Sequence, residues 1–122
     1  MNPKDTTDTE IFLALKKILA SCAPKLAVID DTPTSYSLET KSASYKGKPM
    51  FFGAVKRKSY VSYHLMPLYW KPALLDDLSP ELRKRMQGKA CFNFKKLEPD
   101  LFAELAALTR TGLASYKEAK LL

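Results

Sequence analysis

One histidine, one tryptophan and two cysteines are all that this 122-residue chain holds of its scarcest side chains. Cys22 and Cys91 stand far apart, with no C-x-x-C spacing and only His64 to join them. A tetrahedral zinc site needs more soft ligands than that. Nothing requires an oxidising compartment, so the thiols read as free and at least half-buried. No apolar run approaches the ~18 residues that would cross a bilayer. The polar start "MNPKDTTDTE" lacks the basic region and apolar stretch of a secretory signal, and the expectation is a soluble, cytoplasmic protein. Also missing are the phosphate-cradling G-x-x-x-x-G-K-[ST], the dinucleotide G-x-G-x-x-G, H-E-x-x-H and G-x-S-x-G. The chain therefore carries no catalytic signature. It has no repeat, no low-complexity tract and no dividing linker, which predicts a single domain over 1–122.

What is present is positive charge, unevenly spread. The formal net charge is +7. Residues 1–31 balance Asp5, Asp8, Glu10, Asp30 and Asp31 against Lys4, Lys16, Lys17 and Lys25. Residues 41–58 hold Lys41, Lys46, Lys48, Lys56, Arg57 and Lys58 with Glu and Asp absent. Residues 81–96 add Arg83, Lys84, Arg85, Lys89, Lys95 and Lys96 against Glu81 alone. Such asymmetry points to an anionic ligand or protein partner, although solubility alone also favours basic surfaces.

Hydrophobic periodicity supplies the elements. Thr7 and Glu10 make a capping box for a first helix, whose stripe is Ile11, Leu15, Ile18 and Cys22, widened by Phe12 and Leu19. Lys16 and Lys17 fall on its wet side, and Pro24 closes it. The period then changes to two. "KLAVID" and "SYSLETKS" read as strands, "KGKP" as a turn, and "MFFGAV" with "SYVSYHLM" as a hairpin joined by Lys56-Arg57-Lys58. Gly53 within a strand marks a bulge or a close approach. "LSPELRKRMQG" predicts a short helix with Ser79 at its N-cap, Pro80 at its first position and Gly88 past its end. "ACFNF" is one more strand. A last helix carries Leu101, Leu105 and Leu108 on one face, with Phe102, Leu113 and Tyr116 beside them. The fold class is α+β: an antiparallel sheet packed on one face by the N- and C-terminal helices.

The stretches "KPMFFGAVKRKSYVSYHLMPLYW" and "SPELRKRMQGKACFNFKKLEPDLFAELAAL" resemble the YdhG-like family, small bacterial proteins carried as a domain of unknown function. The likeness runs from about Tyr45 to Tyr116. It implies a compact α+β domain with frataxin-like architecture, and one branch of the family is described as an intracellular iron chaperone. Iron, if bound as in frataxins, would fall to Asp5, Asp8, Glu10, Asp30 and Asp31. The family brings no established catalytic residues. Many relatives place a histidine directly after the basic turn; here Ser59 and Tyr60 follow, and His64 comes later.

Strand alternation nominates the sites. In "SYVSYHLM", Val61, Tyr63 and Leu65 share the core face, leaving Tyr60, Ser62 and His64 opposite. In "ACFNF", Phe92 and Phe94 face the core, and Cys91 and Asn93 the other side. If these strands are neighbours, Tyr60, Ser62, His64, Cys91 and Asn93 gather into one polar patch. Cys91 and His64 could form a nucleophile–base pair there, against the plainer reading of a small apolar cysteine and a surface histidine. Lys58 with Lys56, Arg57 and the nearby aromatics has the ingredients of a nucleic-acid platform. The RNA-binding sheet motif is absent, and the phenylalanines and Tyr63 serve equally as core. Trp70, bracketed by Pro67 and Pro72, either plugs the end of the core, the favoured reading, or walls a pocket flanked by the cations Lys48 and Lys89.

Overall fold

A computed structural model describes residues 3–43 and 46–122, with side chains from Thr7 onward. Helix α1 spans Pro3–Ala20 and leads through a short turn into strand β1, Leu26–Thr32. Strands β2 (Ser35–Thr40), β3 (Phe51–Arg57) and β4 (Val61–Leu65) follow. Two short helices, α2 (Pro67–Trp70) and α3 (Pro80–Arg83), precede β5 (Cys91–Phe94), and α4 (Pro99–Glu118) ends the chain. The five strands lie in sequence order, β1-β2-β3-β4-β5, and every pairing is antiparallel. The α+β class and the one-sided helical cover are as the periodicity predicts. No described helix is long and apolar enough to cross a membrane.

One core lies between the sheet and the pair α1–α4. Ile11, Leu15 and Leu19 of α1 and Leu105 and Tyr116 of α4 are fully buried against Leu38, Phe52, Val55, Tyr63, Leu65, Phe92 and Phe94 of the sheet. Phe52 and Tyr116 meet edge to face at 5.3 Å, and Phe94 and Phe102 at 4.9 Å, geometries that suit the aromatic quadrupole. Buried hydroxyls are paired. Tyr63 Oη and Thr109 Oγ1 are 2.6 Å apart, and Tyr116 Oη donates to the Phe51 carbonyl at 2.6 Å.

Several expectations need correction. The helix begins at Pro3, so Thr7 and Glu10 lie inside α1 and do not cap it. Proline tolerates a first turn and fixes φ there, an earlier start signal than the capping box. The cations Lys56 and Arg57 belong to β3, and the turn proper is Lys58–Tyr60. Helix α3 stops at Arg83. Ser79 does cap it, accepting from the Leu82 N–H at 3.1 Å, while Glu104 of α4 accepts from the Ser79 hydroxyl at 2.6 Å. The backbone beyond α3 turns instead to β5: Asn93 N–H donates to Arg85 O and Gln87 N–H to Cys91 O. Gly88, with φ +81°, sits in the loop after that pairing and not at a helix end. "KLAVID" is a strand, as read, and lies at the sheet edge with Val28 and Ile29 about half exposed. Lys16 is half-buried, its ammonium 2.9 Å from Asp31 and over the Tyr36 ring.

A bulge in β3 decides which residues face the site. Leu38 pairs with Gly53 and Glu39 with Phe51, leaving Phe52 as the extra residue. Phe52 therefore turns into the core, fully buried, whereas Phe51 stays half-buried on the helix-free face. The sequence pattern predicts both in the core; the bulge places only Phe52 there. Gly53 is required next to the bulge because a Cβ there would sit 2.8 Å from the His64 carbonyl oxygen and 3.1 Å from Leu19 Cδ1.

Candidate functional site on the uncovered sheet face

The face of the sheet away from α1 and α4 is floored by small side chains. Ser37 of β2, Ala54 of β3 and Ser62 of β4 are each at least nine-tenths buried between longer neighbours. Register aligns them with the rest of the face: Ala54 lies opposite both Ser37 and His64, Ser62 opposite Asn93, and His64 opposite Cys91. Ile29, Asp30, Phe51, Lys56 and His64 rise around this floor to enclose a trough of about 480 Å³. Asp30 is turned toward the strand margin, accepting from the Ser35 hydroxyl.

The predicted neighbours do meet. His64 Nε2 is 3.0 Å from Ser62 Oγ and 3.9 Å from Cys91 Sγ. The Cys91 thiol approaches Asn93 Oδ1 at 3.6 Å, and the Asn93 amide donates to Gln87 Oε1. A polar row thus runs from Ser62 through His64, Cys91 and Asn93 to Gln87. Gln87 was missed by sequence reasoning, since only the pairing of residues 85–87 with β5 brings it alongside Asn93. Tyr60 does not join the row. It precedes β4 in the turn and lines a separate groove with Thr7, Asp8, Ser59 and Lys95.

The electrostatics of the row oppose nucleophilic catalysis. Burial, helped by the Lys56 charge, pushes the His64 imidazole below its ordinary value, and burial pushes the Cys91 thiol up. Both shifts favour the neutral form. An activated cysteine needs the reverse, a thiolate beside an imidazolium. The row is an array of neutral donors and acceptors with one ammonium, Lys56, at its border.

Beyond Asn93 the face continues into a basic groove of about 510 Å³ flanked by Lys84, Lys95 and Lys96. Arg85 is committed there, its Nε donating to Glu98 at 2.7 Å and holding that carboxyl below the usual range. At the other end, Trp70 does not plug the core. It is 41 % exposed and walls an open groove together with Pro49, Met50 and Met66. Lys48 is exposed next to Pro49 and Lys89 is exposed in the loop before β5. Neither cation lines the Trp70 groove. The hairpin cations separate: Lys56 and Arg57 pair with Ser62 and Val61, which face opposite sides of the sheet, and Lys58 is exposed at the tip.

The described acidic residues do not gather as an iron site needs. Among the described residues no three carboxylates, imidazoles or thiols come together as a metal would need. Asp31 is engaged by Lys16, Asp30 by Ser35, and Asp8 is buried in the groove that Lys95 also lines. Asp5 lies outside the described side chains. A hard-oxygen ligand set needs clustered free carboxylates. Compared with known proteins, the chain matches no family, no curated protein and no solved structure.

Proposed function

We propose that the protein is a binding module that takes a small anionic ligand on the uncovered face of its sheet. The finer fold assignment, YdhG-like with frataxin-like architecture, is part of the proposal. It is supported by the order helix, sequential antiparallel strands, helix, with both long helices on one face. The observation that carries the ligand reading is the row Ser62–His64–Cys91–Asn93, whose last three members are partly exposed on a face no described helix covers, with Lys56 at one border and Lys84, Lys95 and Lys96 beyond the other. Neutral hydrogen-bonding groups orient an oxyanion, and the flanking ammonium groups supply attraction.

Titration of isotope-labelled protein with inorganic phosphate tests this. Backbone resonances of Ser62, His64, Cys91 and Asn93 should move together, and Lys56→Met with Asn93→Ala should suppress the response. Resonances that stay still at millimolar phosphate would remove the reading.

A further inference from the structure

The trough beside His64 and the groove beside Trp70 are one surface. Phe51, turned outward by the bulge, lines both. Met66 stands two residues beyond His64, about 7 Å along the chain at strand spacing, and continues the same wall into the groove. The two halves differ sharply in chemistry. The groove is built from Pro49, Met50, Phe51, Met66, Tyr69 and Trp70 and has a volume of about 440 Å³. Tyr69 is 65 % and Trp70 41 % exposed along this groove. The trough adds Lys56, which takes part in neither ion pair formed among the described residues.

We propose that the two halves hold one amphipathic anion, an aryl carboxylate whose planar body lies against Trp70, Tyr69 and Phe51 while its carboxylate reaches Lys56 and His64. This rests on the anion-binding reading above and names the ligand class. Exposed aromatic faces and polarisable methionines suit a flat π-system better than a branched aliphatic chain. A small inorganic anion would use only the trough, and a neutral hydrocarbon only the groove, whereas an aryl carboxylate uses both; Asp30, on the trough's far wall, is held by the Ser35 hydroxyl. Each half has the volume of a small-molecule site, roughly 300–1,000 Å³, and not of a protein interface.

The chain's only tryptophan and only histidine lie at opposite ends of this surface, so each half has its own magnetic-resonance reporter. Naphthoate should move the Trp70 indole N–H and the His64 ring signals together. The neutral isostere naphthalenemethanol should bind about tenfold more weakly and move Trp70 alone; inorganic phosphate should move His64 alone. Trp70→Ala and, as a more exposed second variant, Tyr69→Ser should weaken naphthoate about tenfold and leave the phosphate response intact. Lys56→Met should abolish the preference for naphthoate over the alcohol. If naphthoate moves His64 and leaves Trp70 unmoved, the amphipathic ligand is overturned while the anion site stands. Equal binding of naphthoate and the alcohol overturns it as well. If neither naphthoate nor phosphate moves His64, both readings fall.

Discussion

Tyr63 shows how a single buried polar atom is handled in this core. Its ring is fully buried, and burial drives its phenol well above the ordinary range. The hydroxyl meets Thr109 Oγ1, which in turn donates to the Leu105 carbonyl at 2.7 Å. The two halves of this pair are unequal. Tyr63→Phe removes one hydrogen bond and leaves Thr109 its backbone partner, so the expected loss in urea unfolding is about 1 kcal/mol. Thr109→Val strands the Tyr63 hydroxyl without a partner, and the expected loss is nearer 2–3 kcal/mol by the same logic. A reversed order would contradict the assignment. His64 sets a pH dependence of definite sign. Its folded-state pKa lies below the ordinary 6.5, so the fold favours the neutral ring. Its contribution is fully present above that value and is lost as pH falls through the depressed one. Carboxylates such as Glu98 add their own acid sensitivity, so the comparison must be between proteins. His64→Gln should lose less of its urea midpoint than the parent between about pH 7 and pH 5.

At the scale of elements, two glycines separate close approach from helix propensity. Gly53→Ala drives a methyl against a backbone oxygen that the β3–β4 ladder fixes, and should cost about 3 kcal/mol. Gly112→Ala gains about 1 kcal/mol of helix propensity but meets the Pro67 ring carbons at 3.0 Å. The terms oppose, and the net change should stay within about 1 kcal/mol. Thermal or urea unfolding of the two variants side by side checks both. The shared face of His64, Ser62, Cys91 and Asn93 was legible because two strict alternations, Val61–Leu65 and Cys91–Phe94, each assign every residue to a face; the β4–β5 pairing that brings them together was only a condition, since alternation does not encode which strands are neighbours. The bulge was not, since Phe51 and Phe52 are chemically identical and period two cannot say which one is the extra residue. Nor was the end of α3, because residues 85–87 are claimed by β5 through long-range pairing that local propensity does not encode. Trp70 was misjudged, since a lone tryptophan between prolines reads first as a core plug, and its companions Met50 and Met66 look like ordinary core residues in the sequence.

For the whole molecule, the two thiols report different things. Cys22 is 3 % exposed and belongs to the core shared by α1 and the sheet, whereas Cys91 is partly open on the other face. A disulfide reagent should therefore modify one thiol per native chain, slowly, because burial raises the Cys91 pKa. Cys22 should become reactive only with global unfolding, at the urea midpoint seen by circular dichroism. Early labelling of Cys22 would show that α1 detaches from the sheet on its own.

The segment Arg85–Gln87, which covers the outer side of β5, has a consequence for self-association. A sheet polymerises by edge pairing only if each copy offers two open margins. Here one margin is occupied by the chain itself, and β1, with its bulge between Val28 and Asp30 and its acidic pair Asp30–Asp31, is the other. Pairing through β1 joins like to like about a two-fold axis and consumes both margins, so growth terminates at two copies and no filament follows.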